Sequence, residues 1–379
     1  AIIEFFRGSI LTGFPWNLIA YSFSNQLEIL NITSIIGTYS FNLFCISLFT
    51  SPSIFILRDN KKEIGVCVAF LITTMSFYVF GSQNLEKFNK EQVNKLDYKI
   101  RIISSNISID RFYNNIDPVL AIEELIEISS PQKNEKTIFI WPEGIIPGIS
   151  QDQLKEYKWL FQNKFNENHL FGIGINIKEK ENQSIKYFNS FSIYDHNLNL
   201  INSYKKINLV PFGEYVPFEG ILRGLIEFFD LPMSSVQEGS PNQGFFMIND
   251  LKVLGMICFD IAFPLSYINE VRDADFIINI SNDTWFGNSY GPYQHLQIVR
   301  LRALESNKWI GRGTSDGIST IVDNKGTIVS ILSKGNLGSL EGKIYKTNES
   351  TFFYSFGYII IPLISMFVMM LVIILRLKQ

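Results

Sequence analysis

The chain has 379 residues, 46% hydrophobic and 14% aromatic, with 18% charged and a formal net charge of −3. Ordinary soluble domains carry about 25% charged residues, so this balance argues for membrane-embedded segments beside a folded domain. The slightly acidic balance excludes the broad basic surface that a nucleic-acid partner needs.

Residues 1–24 are apolar but broken by Glu4, Arg7, Gly13 and Pro15, which predicts the end of one helix and then an irregular stretch. The sequence starts at Ala1 inside apolar sequence and shows no basic, cleavable leader, so it reads as a trimmed form lacking earlier membrane segments. Ile32 to Leu57 is long enough to cross a bilayer, for which roughly 20 residues suffice. The loop Arg58-Asp59-Asn60-Lys61-Lys62-Glu63 follows, then a second span from Ile64 to about Gly81. A third runs from Phe352 to Leu375, its stretch from Tyr358 onward free of charge, and ends in Arg376-Leu377-Lys378. Buried helices of a soluble protein are the competing reading. Positive charge prefers the cytoplasmic side, so both basic clusters can be cytoplasmic only if everything between Gly81 and Phe352 lies across the membrane.

The middle of the chain differs. Short runs rich in Ile, Phe and Val (Ile102–Ile109, Thr137–Trp141, Leu170–Ile177, Tyr187–Tyr194, Val253–Phe259, Phe276–Ile280) predict strands. Helical stretches over Val119–Ile128 and Gln151–Phe165 alternate with them, which predicts an α/β sheet. Ile318–Val322 and Thr327–Leu332, joined by Asp323-Asn324-Lys325-Gly326, predict a hairpin. The expected organisation is membrane helices over residues 1–85, a catalytic domain over 86–350 and a C-terminal span over 351–379.

Three places carry chemistry. Glu143 follows a buried strand in Ile138-Phe139-Ile140-Trp141-Pro142-Glu143-Gly144, and ligands bind at the carboxyl ends of strands in α/β sheets. Taken alone it could equally be a surface loop glutamate. Tyr204-Lys205-Lys206 precedes Leu209-Val210-Pro211-Phe212-Gly213-Glu214, and a lone lysine is usually only a solvated charge. In Val253-Leu254-Gly255-Met256-Ile257-Cys258-Phe259-Asp260 a cysteine ends a buried strand and is followed by an acid. Free cysteines are most often inert core residues. Cys45 and Cys67 lie in apolar runs, so Cys258 is the sole thiol of the extramembrane part, which marks it as a candidate reactive group. Three scattered histidines, His169, His196 and His295, give no metal spacing, and no metal or other cofactor is expected. A thiol must lose its proton to attack. Glu143 would take that proton, Lys206 would stabilise thiolate and oxyanion, and the Phe259 N–H would be a second oxyanion donor.

Trp-Pro-Glu after a strand, a lysine, and a cysteine after a later strand resemble the Glu-Lys-Cys triad of the nitrilase superfamily. Longer motifs resemble the apolipoprotein N-acyltransferase family: Gly13-Phe14-Pro15-Trp16, Leu209 to Pro217, Leu231-Pro232-Met233-Ser234-Ser235, Ser281 to Gly287 and Gly291-Pro292-Tyr293-Gln294-His295. This likeness runs from Glu4 to the final helix. It implies a nitrilase-like α-β-β-α sandwich inserted between transmembrane α-helices. It implies transfer of an acyl chain from a membrane phospholipid, through a thioester on Cys258, to the N-terminal α-amine of a diacylglyceryl prolipoprotein. Glu143, Lys206 and Cys258 are then the triad, Lys206 being chosen over Lys205 by its eight-residue distance from Glu214. Glu214, Phe259, Asp260, Trp16 and Trp285 would support substrate or oxyanion. The family's usual Tyr-Glu after the cysteine is Phe259-Asp260 here, which loses a hydroxyl and shortens an acid. The resemblance places the protein in the bacterial inner membrane, multi-pass, with the catalytic domain facing the periplasm.

Phe218, Ile221, Leu222, Leu225, Ile226, Phe228, Phe229, Leu231 and Met233 would form an interfacial helix against the lipid, or pack on the sheet. Trp16 and Phe14 are expected at the membrane edge. Trp285 and Phe286 are expected to line the pocket or to fill the core. Leu296, Val299 and Ala303 predict one packed helix face. The runner-up reading is a membrane-tethered amidase with water as second nucleophile; a scaffold with a degenerate domain is third.

Overall fold

The computed structural model describes residues 2–10, 13–57, 63–88, 97–105, 117–146, 148–181, 184–216, 236–241, 243–248, 251–347 and 349–377. The Arg58–Lys62 loop, the Leu231–Ser235 motif and the apolar set from Phe218 to Met233 lie outside them.

Among the described residues, twelve strands form two six-stranded sheets. In chain order they are β1 (Lys99–Ser104), β2 (Thr137–Trp141), β3 (His169–Glu181), β4 (Ser184–Asp195), β5 (Leu200–Lys205), β6 (Phe246–Ile248), β7 (Leu251–Ile257), β8 (Phe276–Asn282), β9 (Ile310–Ser315), β10 (Ser319–Val322), β11 (Ile328–Leu332) and β12 (Gly338–Gly342). The first sheet runs β12-β1-β2-β3-β4-β5 and the second β11-β10-β9-β8-β7-β6. The centre of each is parallel: β1, β2 and β3 in the first, β7, β8 and β9 in the second. Parallel strands are covered on both faces, which explains their continuous Ile and Phe runs. Their inner faces share one core, with Ile100, Ile102, Ile138 and Ile140 against Ile257, Ile278 and Ile280. The helix Pro118–Ser129 covers the outer face of the first sheet through Ile122, Leu125 and Ile126. The helix Gly291–Ser306 covers the second, burying Leu296, Val299 and Ala303. The result is a nitrilase-like α-β-β-α sandwich.

Two expectations need correction. Gln151–Phe165 is not one helix but a 3-10 turn, Leu154–Tyr157, and a single α-turn, Lys158–Phe161. Ser150 bonds the Asp152 and Gln153 side chains, favouring a turn over a helix start, and Asn163 at φ 68° ends the segment. The second apolar helix runs from Ile64 to Phe88, past Gly81. Gly81 does not end it: a Cβ there would strike the Glu28 carbonyl oxygen, so this glycine permits close packing instead.

Among the described residues two helical segments are long and apolar enough to cross a membrane, Thr33–Leu57 and Ile64–Glu86. Only 28% and 11% of their apolar windows are buried, too little for core helices of a soluble protein. The chain is a membrane protein with two candidate N-terminal spans. A further helix, Phe352–Leu377, follows β12.

The first span is broken. Gly37 sits at φ 75°, ψ 164° inside Thr33–Thr50, with Phe353 packed where a Cβ would stand. The break leaves the Thr38 N–H without its helical acceptor. Glu305, from the helix on the second sheet, accepts it at 2.7 Å and also takes the Thr38 hydroxyl at 2.7 Å. Arg302 pairs with Glu305 and donates to the Thr38 hydroxyl at 2.5 Å. All three side chains are buried.

Candidate active site

β2 ends at Trp141, Pro142 stops the ladder, and Glu143 stands in the turn that follows. Neighbouring β3 presents Gly174 to this turn, where a Cβ would lie 2.5 Å from the Glu143 Cα. Only glycine lets the backbone approach this closely. Glu143 is 7% exposed. Its Oε1 accepts from Asn189 Nδ2 at 2.6 Å and lies 3.4 Å from Lys206 Nζ; its Oε2 accepts the Asn282 N–H at 2.8 Å.

Lys206 follows β5 directly, its N–H tied to the Asn189 carbonyl at 2.8 Å. It is 1% exposed, and its Nζ contacts Glu214 Oε2 at 2.8 Å as well as Glu143. Glu214 also accepts from Asn189 Nδ2 at 2.9 Å and the Val210 N–H at 2.9 Å. Lys205 points the other way, to Glu179 on the surface at 2.6 Å and over the Phe188 ring. Strand alternation thus sends one lysine into the site and its neighbour to solvent.

Cys258 stands at the end of β7, opening a 3-10 turn over Cys258–Ala262. Its φ is +48°, the left-handed region that a non-glycine residue occupies only at a cost of about 1–2 kcal/mol. The turn aims the side chain out of the strand end toward Ser281, within the fields of Glu143 and Lys206. The Phe259 N–H, at the start of this turn, belongs to those a helix leaves without internal partners.

The electrostatics follow from burial. Desolvation pushes Glu143 above the usual carboxylate range; Lys206 opposes that and Glu214 adds to it. Burial pulls the Lys206 ammonium down, but Glu143 and Glu214 overcome this and hold it well above its ordinary value. Burial and the Glu143 charge push the Cys258 thiol up, with Lys206 pulling back. Burial thus disfavours the charged form of both the Cys258 thiol and the Glu143 carboxyl.

The other expected residues occupy distinct places. Phe259 is buried, its ring 5.3 Å from Phe14 and 6.0 Å from Trp16. Trp16 is 7% exposed, packed on Phe286 and His295, its Nε1 donating to Gln294 at 2.8 Å. It thus wedges between the N-terminal segment and the Cys258 turn. Asp260 does not face an oxyanion position. It is fully buried, and its oxygens accept from Tyr204 Oη, Asn208 N and Ile257 N at 2.9–3.1 Å. It ties the lysine loop to the cysteine turn, which a short carboxylate does well. Trp285 is 63% exposed and so does not fill the core.

Sequence reasoning missed Asn189, Asn282 and the layer beneath Cys258, formed by Asn279, Asp283, His295 and Arg312. The available signal was polarity at a position where a strand should be apolar: Asn279 lies inside the otherwise hydrophobic run Phe276–Ile280, whereas Asn189 sits among the serines of its strand. Among the described residues no group of acids, histidines and cysteines could hold a metal ion.

The family model for carbon-nitrogen hydrolases matches residues 117–347, and that for the apolipoprotein N-acyltransferase N-terminal domain matches residues 1–49. An apolipoprotein N-acyltransferase of Pseudomonas putida is 30% identical over 92% of this chain and 67% of its own length. One from Rickettsia prowazekii is 30% identical over 94% of this chain and 71% of its own. Among solved structures, a branch 10 nitrilase superfamily protein of Saccharomyces cerevisiae aligns with a TM-score of 0.48 at 18% identity, over 67% of this chain and 92% of the other.

Proposed function

The chain belongs to the apolipoprotein N-acyltransferase family, and from that premise we propose how its own residues carry out the acyl transfer. The protein is an acyltransferase of the carbon-nitrogen hydrolase superfamily. The donor is a membrane phospholipid and the acceptor the α-amine of a diacylglyceryl-cysteine at a lipoprotein N-terminus. Residues 86–350 form the catalytic domain, facing the periplasm, with membrane helices over 1–85 and 351–379. The observation that carries this reading is the convergence of Glu143 and Lys206 from one sheet with Cys258 from the other.

In the first half-reaction the Glu143 carboxylate takes the Cys258 proton as sulfur attacks the ester carbonyl carbon. A raised carboxyl suits a base that must later give its proton back. Negative charge on the carbonyl oxygen is met by the Phe259 N–H and the Lys206 ammonium. The intermediate collapses, the lysophospholipid oxygen leaves with the proton from Glu143, and the acyl chain remains as a thioester. In the second, the acceptor amine attacks that thioester and passes a proton to Glu143. Collapse forms the amide, and the thiol is restored by the same proton.

Intact mass of the purified protein after incubation with phospholipid vesicles tests this, with Cys258→Ala alongside. The expected result is an added acyl mass, released by hydroxylamine and absent from the variant. An acyl adduct discharged to water but never to an amine would turn the reading to a membrane-tethered amidase. No adduct, with Cys258 free, would remove the phospholipid donor.

A further inference from the structure

Beneath the cysteine lies a buried polar layer that the mechanism above does not use. The Cys258 carbonyl accepts from His295 Nε2 at 3.2 Å, with Asn279 Nδ2 at 3.5 Å. On its other side His295 Nδ1 lies 3.1 Å from Asp283 Oδ1. Arg312 Nη2 reaches both Asp283 oxygens, at 3.0 and 2.9 Å, and His295 Nδ1 at 3.0 Å. Arg312 Nη1 donates to Asn279 Oδ1, and the Ser281 hydroxyl to Asp283 Oδ1 at 2.8 Å. All five side chains are fully buried.

Stability alone does not account for this layer, because buried ion pairs are often no better than apolar packing of the same volume. What the layer reaches is the main chain at the left-handed cysteine. A strained residue persists only where its surroundings over-determine it. We propose that His295, braced by Arg312, which Asp283 in turn holds, is a positioning residue for acyl transfer: its Nε2–H fixes the Cys258 carbonyl, and so the turn that aims the sulfur and the Phe259 N–H at one substrate carbonyl. The carbonyl can only accept, so Nε2 carries the proton. Burial and the Arg312 charge hold the imidazole below its ordinary value, which keeps it neutral with Nδ1 open to the Arg312 N–H. The ring also packs on Trp16, centroids 5.0 Å apart, so the same histidine joins the N-terminal segment to the Cys258 turn.

The inference rests on Cys258 being the nucleophile. His295→Leu keeps the bulk and removes the donor; His295→Gln places an amide N–H near Nε2; His295→Asn is too short to reach. With saturating phospholipid vesicles, His295→Leu is expected to slow thioester formation by roughly 100-fold, the scale of an ångström-sized misplacement. Half-saturation by lipid should stay within about twofold, and His295→Gln should recover activity to within roughly fivefold of the unmutated protein, because positioning and not binding is at stake. A folded His295→Leu within about threefold of the unmutated rate overturns the proposal. If that variant does not fold, the amide pair decides, since equal rates for His295→Gln and His295→Asn are equally fatal to it. Alkylation of Cys258 by iodoacetamide separates failure of this inference from failure of the acyl-transfer reading. It needs no lipid, and it should fall at least fivefold in His295→Asn relative to His295→Gln, because the thiol leaves its aligned position. Equal alkylation rates overturn the proposal even if the donor assignment fails.

Discussion

The two sheets hold their contributions to the active site in different ways. On the first, Glu143 and Lys206 are fixed by side chains: Asn189 bridges Glu143 and Glu214, and Lys206 lies between the two carboxylates. On the second, Cys258 is placed through its main chain, by a positive φ and a carbonyl held from below. The difference follows from the groups themselves. A carboxylate or ammonium accepts or donates several strong hydrogen bonds and can be steered by them, whereas a thiol is a weak donor and a weak acceptor. A sulfur must be aimed by the backbone that carries it.

The sharpest way to break this comparison is to remove the base. Glu143→Gln keeps the size and the Asn282 contact but takes no proton, so thioester formation in vesicles should fall by roughly 10³-fold or more. The same change should move alkylation in the opposite direction. Glu143 pushes the thiol up, so removing its charge lowers the thiol, raises the thiolate fraction at pH 8 and speeds iodoacetamide labelling severalfold. Parallel loss of both rates would mean that Glu143 acts by holding structure.

Lys206→Met should cost about 10²–10³ in thioester formation by removing oxyanion stabilisation. It should also raise the thiol and slow labelling at pH 8, the reverse of Glu143→Gln. Its thermal unfolding midpoint should drop too, since the buried Glu143 and the partly buried Glu214 lose their counter-charge. Gly174→Ala tests the backbone approach: the added Cβ pushes on Glu143, with an expected stability loss of about 1–3 kcal/mol in denaturant unfolding and slower thioester formation. Lys205→Met is the smallest change, within about twofold in rate, because its exposed pairing with Glu179 contributes little. A large effect there would reverse the assignment of the two lysines.

Much of the sandwich was legible in the sequence. β2 was found to the residue, and the β10–β11 hairpin nearly so, with Asp323 bonding the turn N–H groups of Lys325 and Thr327. Strong β-branched and aromatic runs made these strands clear. The turn-rich Gln151–Phe165 segment misled because apolar residues at helical spacing said nothing about the side-chain bonds of Ser150. In the site, a proline after a strand and a thiol before an acid exposed Glu143 and Cys258. Periodicity could not tell what Asp260 bonds to, because its partners Tyr204 and Asn208 are distant in sequence. Nor could it find His295 under Cys258, since that contact crosses 37 residues and depends on how a helix lies on a sheet.

The break at Gly37 has a consequence for the order in which the protein is made. The acceptor for the Thr38 N–H lies 267 residues downstream, on a helix of the extramembrane domain. Translation delivers the broken helix to the bilayer long before Glu305 exists. A buried N–H left unpaired costs about 1–3 kcal/mol, so during that interval the helix waits with an open joint. Closure arrives only when the sandwich has folded and its helix docks. The last step in maturing the membrane part is therefore performed by the domain outside it, and a nascent chain arrested before residue 305 cannot complete even its own first span.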